Sequence, residues 1–445
     1  MMKHIRRSVG AAALSTISAM GAASAQSLEE IMADALDGSQ TLAADRAALD
    51  AQREAPKQAF ASALPSVSVG GSVSANDATY DPGRDGEQFL RDLGVTSGFN
   101  GTGLEAAQTT YGVSLSARQT VYAGGRVMNS IRAARAGVRA AEAGFEAGRE
   151  DTVFEIASAY FDVVRAEAQR DALQQSFGTL TEQERAVAKS FDLGRASKTD
   201  VAAVSAQRAD VEGRLATARA NVASARLNFQ AITGLTLDKF ALSEGRPTYP
   251  EDIDELLAMA QASNANLQAA DAIVEAGAAE VRAARGQRRP AVEIVGSYSY
   301  SEGNLIEGDS IESVGVQLQA SIPLFSGGRI ASEVRQAKAD LRSDQLARAD
   351  LNRRLEAAVR AAYGDAIAAE ISRRSAEVQV EARATTLEGV TIEAELGKRT
   401  TLDILEAEDD FLTSRFSAID ARIREQLTVY NLLRLTGSLS QAFDL

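Results

Sequence analysis

A six-residue stretch occurs twice in this chain, as Val121-Tyr-Ala-Gly-Gly-Arg126 and as Leu324-Phe-Ser-Gly-Gly-Arg329, 203 positions apart. Each copy falls where an alternating, strand-like run stops and a long helix-forming run begins. Paired glycines supply the backbone freedom that so abrupt a change of conformation demands. Other landmarks keep the same offset. Leu193-Gly194 returns as Leu396-Gly397, Ile232-Thr-Gly234 as Leu435-Thr-Gly437, and Ser197-Lys-Thr-Asp200 as Thr400-Thr-Leu-Asp403. The pattern is that of an internal duplication of one structural unit, so the fold must accommodate the same strand-to-helix junction twice.

Residues 1–25 read as a signal peptide. Lys3, Arg6 and Arg7 precede a mildly apolar run, and Ala23-Ser-Ala25 offers a small-x-small cleavage site. The first unit, 26–234, opens with a helix over 28–60 that Pro56 should kink or end. Strands are expected at about 66–76 and 110–122, where apolar residues (Val67, Val69, Val73; Tyr111, Val113, Leu115, then Val121) alternate with small polar ones. Residues 77–109, rich in Gly, Asp, Asn and Thr, read as a long loop. A proline-free helix follows from about 126 to 192, with Ile131, Ala134, Val138, Ala141 and Phe145 at coiled-coil-like spacing. Gly194 breaks it. Ser197 and Asp200 give the signature of a new helix start, and Gly234 gives its stop.

Residues 235–252, with Pro247 and Pro250, form a linker. The second unit, 253–437, repeats the plan: a helix over 253–287, strands at about 291–301 and 312–325, and a long helix over 329–395. Its final helix, 400–435, carries Leu412, Phe416, Ile419, Ile423, Tyr430 and Leu433 at heptad-like positions, and 438–445 form a tail. The first hairpin is 22 residues longer than the second (Pro65 to Gly124 against Pro290 to Gly327), which concentrates sequence freedom at that end.

Composition excludes several functions. Without the signal peptide, 44 Lys and Arg face 61 Asp and Glu, a net charge of −17, which disfavours a nucleic-acid partner. There is no cysteine, and the single histidine is His4. Disulfides, thiol nucleophiles, histidine triads and the commonest zinc sites are therefore absent. No catalytic, metal or cofactor-binding residue is assigned, and an enzyme is not expected.

The strands have about the ten-residue length of tilted membrane-spanning strands. A four-stranded sheet would leave open edges that lipid cannot satisfy, so the chain is expected to oligomerise. The expected fold is mixed α+β, mostly α, with two tandem structural repeats per chain. Three chains would give a trimeric 12-stranded transmembrane β-barrel continuous with a long periplasmic α-helical coiled-coil barrel. Two short helices stacked end to end would match each long one. Twelve columns at roughly 10 Å spacing enclose a lumen on the order of 25–30 Å wide.

In this arrangement the chain resembles the TolC family of outer-membrane efflux and secretion channels. The resemblance covers essentially all of the mature chain. It rests on the duplication, the hairpin before each long helix, Pro323-Leu-Phe-Ser-Gly-Gly-Arg329, and the Leu-Gly breaks followed by Thr199-Asp200 and Thr400-Thr-Leu-Asp403. It implies a homotrimer in the outer membrane of a Gram-negative bacterium, in contact with outer-membrane lipid, with a large periplasmic portion. The trimer would be the passive exit duct of a tripartite efflux pump or a type I secretion system. A periplasmic adaptor (membrane fusion) protein and an inner-membrane RND or ABC transporter would open its tip, and the linker and last residues would form an equatorial girdle.

Residue by residue, the resemblance places Asp403 and Glu406 in a gate and selectivity ring. Six carboxylates there would attract cations and raise one another's pKa. Thr199, Asp200 and Arg399 match links that hold the tip closed, while Ala394 stands where the family prototype has a tyrosine. Leu193, Gly194, Leu396 and Gly397 match the adaptor-docking turns; Gly124, Gly125, Gly327 and Gly328 mark the strand-helix junctions. Tyr80, Phe89, Tyr111, Tyr298 and Tyr300 are candidates for interfacial girdles. The alternative is a surface structural or adhesive coiled-coil protein. It would explain the helices and the signal peptide but not four alternating strands.

Overall fold

The computed structural model of the protein describes residues 28–80, 104–241, 247–303, 310–443 and 445. The expected signal peptide and Phe89 lie outside the described residues, as does the side chain of Tyr80. The chain begins with α1 (Leu28–Gly38), α2 (Gln40–Arg53) and α3 (Ala55–Ala61), then β1 (Ser66–Tyr80) and β2 (Leu104–Ala123). Next come α4 (Arg126–Asp192), α5 (Lys198–Thr233), α6 (Ile253–Ser263) and α7 (Ala265–Gly286). Strands β3 (Ala291–Glu302) and β4 (Ser310–Ser321) lead to α8 (Arg329–Glu395), α9 (Thr401–Thr436) and the short α10 (Leu439–Ala442). The long helices α4 and α8 each have 67 residues, and α5 and α9 each have 36.

The single helices expected over 28–60 and 253–287 are each broken. Ser39 and Asn264 adopt extended backbone, with ψ of 114° and 115°, and each side chain caps the helix that follows. Asn264 also donates from Nδ2 to the carbonyl of Leu435 at 3.0 Å, so one side chain serves two helix ends. A polar side chain that satisfies the first amides of a new helix makes the interruption cheap. Pro56 lies in the first turn of α3, where its missing N–H costs nothing.

The four strands form one antiparallel sheet in the order β1-β2-β3-β4. Its register brings the apolar positions into line. Val69 opposes Leu115, Leu115 opposes Tyr298, and Tyr298 opposes Val314. Val73, Tyr111, Val113 and Tyr300 extend the same face, while Ser68, Ser116, Ser297 and Gly315 share the other. Every side chain on one face therefore follows from one register, since a slip of one residue would invert it. Three expectations need correction. β1 and β2 remain paired through Tyr80 and Leu104, well into the segment read as loop. The pairing of β2 with β3 shifts between Thr120 and Tyr122, so Val121 is the extra residue of a bulge and Tyr122, opposite Val292, joins the apolar face. β4 ends at Ser321 and not at 325, because its partner begins at Ala291 and neither Pro290 nor Pro323 has an N–H to donate.

Each strand runs on into a helical column, and the columns keep the order of the strands. The segments α2–α3 and α5 flank α4 on one side; α7 and α9 flank it on the other and pack in turn against α8. The largest core lies where α1 meets the end of α5 against the middle of α4. There Met32, Ile156, Phe161, Phe229 and Tyr430 are fully enclosed. The linker and the tail fold onto this core. Phe240 packs between Tyr160 and Phe229, Phe443 packs on Tyr430, and the Tyr160 hydroxyl donates to the carbonyl of Ala241 and accepts from its N–H. The Glu150 carboxylate accepts from the amides of Leu439 and Ser440, which ties the tail to α4.

Candidate functional site

The two strand-helix junctions are built alike and differ in their surroundings. Gly124 and Gly125 have φ of 64° and 85°, and Gly327 and Gly328 have 60° and 83°, all in the left-handed region. A Cβ at Gly124 would sit 2.3 Å from the Gly286 carbonyl oxygen, whereas one at Gly327 meets nothing within 4 Å. Gly124 faces the neighbouring column; Gly327 lies on the open flank of the wall.

At the far end of the columns, α4 and α8 each close with the same hydrogen bonds. Gly194 and Gly397 adopt φ of 72° and 74°; Arg195 N donates to the Ser190 carbonyl, and Lys398 N to that of Glu393. This six-to-one bond satisfies the orphan carbonyls of a helix end. Both turns then start a new helix with a reciprocal cap. Ser197 accepts from the amide of Asp200 while Asp200 accepts from that of Ser197, and Thr400 and Asp403 repeat the arrangement. Hydrogen bonds from the backbone and hydroxyl of Thr400 hold the Asp403 carboxyl below its usual range, with Arg399 adding a smaller effect. The Ser197 hydroxyl and amide do the same for Asp200, and the Thr401 hydroxyl contributes, so the first turn touches the second. Within one chain, Arg399 is engaged by Glu393 at 2.9 Å and more loosely by Asp403 at 3.9 Å. Thr199 and Glu406 are exposed.

Leu193 and Leu396 are 63% and 67% exposed at the crests of these turns. Phe191, Ile392 and Leu402 stand exposed beside them and were not singled out from sequence. A second omission is Glu408. It lies in α9 beneath the turn, only 6% exposed, between Leu405 and Leu412, which share an apolar cluster with Leu173 and Leu180 of α4 and Val204 and Val211 of α5. Gln183 donates to it at 3.0 Å, and burial pushes its carboxyl up to about 7 despite that bond and one from Ser176. The cations of this region are committed elsewhere: Arg208 to Glu184 and Glu212, Arg214 to Asp409, Arg383 to Asp410. The heptad phase of α9, read backward from Leu412, reaches positions 408 and 405, so an acid on the core stripe was the available signal.

A sheet with one aligned apolar face, each strand continuous with a helical column and paired turns at the far end, is the wall of an outer-membrane channel. The family model for outer membrane efflux proteins matches residues 31–235 and 256–438, and the chain belongs to that family. It is similar to the outer membrane efflux protein BepC of Brucella suis, 24% identical over 336 residues, which are 75% of this chain and 73% of that protein. It is also 24% identical over 319 residues to the outer membrane protein TolC of Escherichia coli, covering 66% of this chain and 58% of that one. The fold matches the crystal structure of the Campylobacter jejuni CmeC outer membrane channel, with a TM-score of 0.75 at 17% identity, over 92% of this chain and 85% of that one. The protein is an outer-membrane efflux channel protein with a large periplasmic helical portion.

Proposed function

We propose that three copies of the chain close into one 12-stranded barrel and one 12-column tunnel, which serves as the passive exit duct of a tripartite pump. The observation that carries this reading is the sheet itself. All four strands present apolar residues on one face, yet the outer edges of β1 and β4 have no partner among the described residues. Lipid cannot satisfy such edges, and a single chain cannot close them. The outer flank of α8 supports the same conclusion, with Ile367, Ile371 and Val378 exposed at helical spacing and no column among the described residues covering them.

The turns are the working end. Asp403 and Glu406 from three chains would ring the aperture and favour cations, with Thr199, Asp200 and Arg399 linking neighbouring turns in the resting state. A glycine suffices to end a helix, so the exposure of Leu193 and Leu396 needs another reason. Docking of a periplasmic adaptor onto these turns, which also carry Gly194 and Gly397, supplies one. An inner-membrane RND or ABC transporter would provide energy and cargo.

The test is planar-bilayer conductance of the mature protein beside Asp403→Ala/Glu406→Ala. Small cation-selective steps in the wild type, with selectivity lost in the variant, are expected. Unchanged selectivity would refute the ring, and failure of folded trimers to insert would refute the barrel.

A further inference from the structure

The chain as a whole is acidic, with 61 acids against 47 basic residues, but the segments bordering the strand-helix junctions have the opposite sign. Residues 53–65, 124–135, 282–290 and 326–335 together hold eleven Lys and Arg and two Asp and Glu. Both acids are taken within their own helices, Glu54 by Lys57 and Glu333 by Arg329. Arg53 is paired with Glu142. The other cations of the band have no carboxylate partner among the described residues. Lower in the wall the pattern changes, and arginines meet acids across each column boundary: Arg139 meets Glu275, and Arg348 meets Asp271.

The band lies at a defined height. Arg288 and Arg289 immediately precede β3, and Arg132 and Arg335 are each six residues into their helices, about 9 Å at 1.5 Å per residue. A bilayer headgroup layer is roughly 5–7 Å deep on each side. The arginines of adjacent columns also share one side of the wall. On α4, Met128, Arg132, Arg135 and Arg139 follow four-three-four spacing and so line one face. Arg139 reaches Glu275, which shares its α7 face with Arg282, seven residues on. Arg282 in turn donates to Asn129 of α4 at 3.4 Å.

Met128, on that arginine face, is 55% exposed, and Phe60, Tyr122 and Phe325, each within six residues of a strand end, are also exposed. Apolar side chains left open among unpaired arginines, one turn below an apolar sheet face, form the composition of a bilayer interface. Their bodies rest at the acyl boundary while the guanidinium groups reach phosphates. We infer that this band is a collar that binds anionic phospholipid headgroups of the periplasmic leaflet. The inference rests on the reading of the sheet as membrane-embedded.

The test reconstitutes the mature protein in vesicles of phosphatidylcholine alone and of phosphatidylcholine with phosphatidylglycerol. Retained lipid is then measured by native mass spectrometry. Wild type should retain phosphatidylglycerol preferentially, and high salt should remove the preference. Arg132→Gln/Arg285→Gln/Arg288→Gln should lose roughly fivefold in preference per cation removed. The matching lysine variant should keep it. Equal retention of the two lipids by wild type overturns the collar. So does a glutamine variant that alters channel ion selectivity with its lipid preference intact, since the arginines would then line the lumen. Insertion into phosphatidylcholine that survives a carbonate wash reports on the sheet alone, so its failure is distinguishable from a failure of the collar.

Discussion

The carboxyl of Glu408 makes the wall near its tip sensitive to pH, in the opposite sense to ordinary acid denaturation. Its folded-state value is raised from 4.5 to about 7 because burial disfavours the charged form, and no cation is placed to compensate. Below about pH 4.5 the group is protonated whether or not the helices are packed, so it carries no electrostatic cost. As pH rises through 7, the packed state must either hold a buried charge or keep a proton that the unfolded chain releases. The difference approaches roughly 3 kcal/mol per chain by pH 8. Glu408→Gln removes the charge and leaves an amide that can still bond Gln183. Thermal dissociation followed from pH 5 to 8.5 should show wild type and variant close together at the acidic end. The variant should become progressively more stable through neutrality. Parallel profiles would refute the reasoning, and a variant less stable at every pH would mean that the native group is charged and held by a partner.

Two further outcomes follow from contacts already described. Gly124→Ala places a Cβ against the Gly286 carbonyl and the Arg289 side chain and should abolish recovery of heat-resistant oligomers. Gly327→Ala, with similar φ and open space, should cost about 1–2 kcal/mol; equal yields would refute the distinction. Arg373 pairs at 2.7 Å with Glu425, whose side chain is 7% accessible. Arg373→Met should therefore cost roughly 1–3 kcal/mol in chemical unfolding, and Arg373→Met with Glu425→Leu should recover part of it.

Much of the wall was legible because its determinants are local. The alternation of Val67, Val69 and Val73, the glycine pairs and the Ser197 and Thr400 caps each act within a few residues, so the sequence carries them openly. The features missed depend on partners far along the chain. Ser39 and Asn264 look like ordinary helix residues until Asn264 is seen bonding the Leu435 carbonyl. The β2 bulge at Val121 exists only with respect to β3, and the early end of β4 only with respect to Pro290. At the candidate site, the Asp200 and Asp403 caps were readable from spacing. The exposure of Phe191 and Leu402, and the burial of Glu408, required knowing which columns are neighbours.

Each tip turn completes its own hydrogen bonding: the closing bonds run from Arg195 and Lys398 back into the helices they end, and the caps join Ser197 to Asp200 and Thr400 to Asp403. A tip is therefore a finished hairpin that can be displaced whole, with no backbone bond broken to let it swing. Whatever resists its movement must act sideways, through side chains between columns, among them Gln183 on Glu408, Arg214 on Asp409 and Arg383 on Asp410. The wall then behaves less like a lid on a spring than like staves held by their hoops, and its stiffness is adjustable one stave boundary at a time.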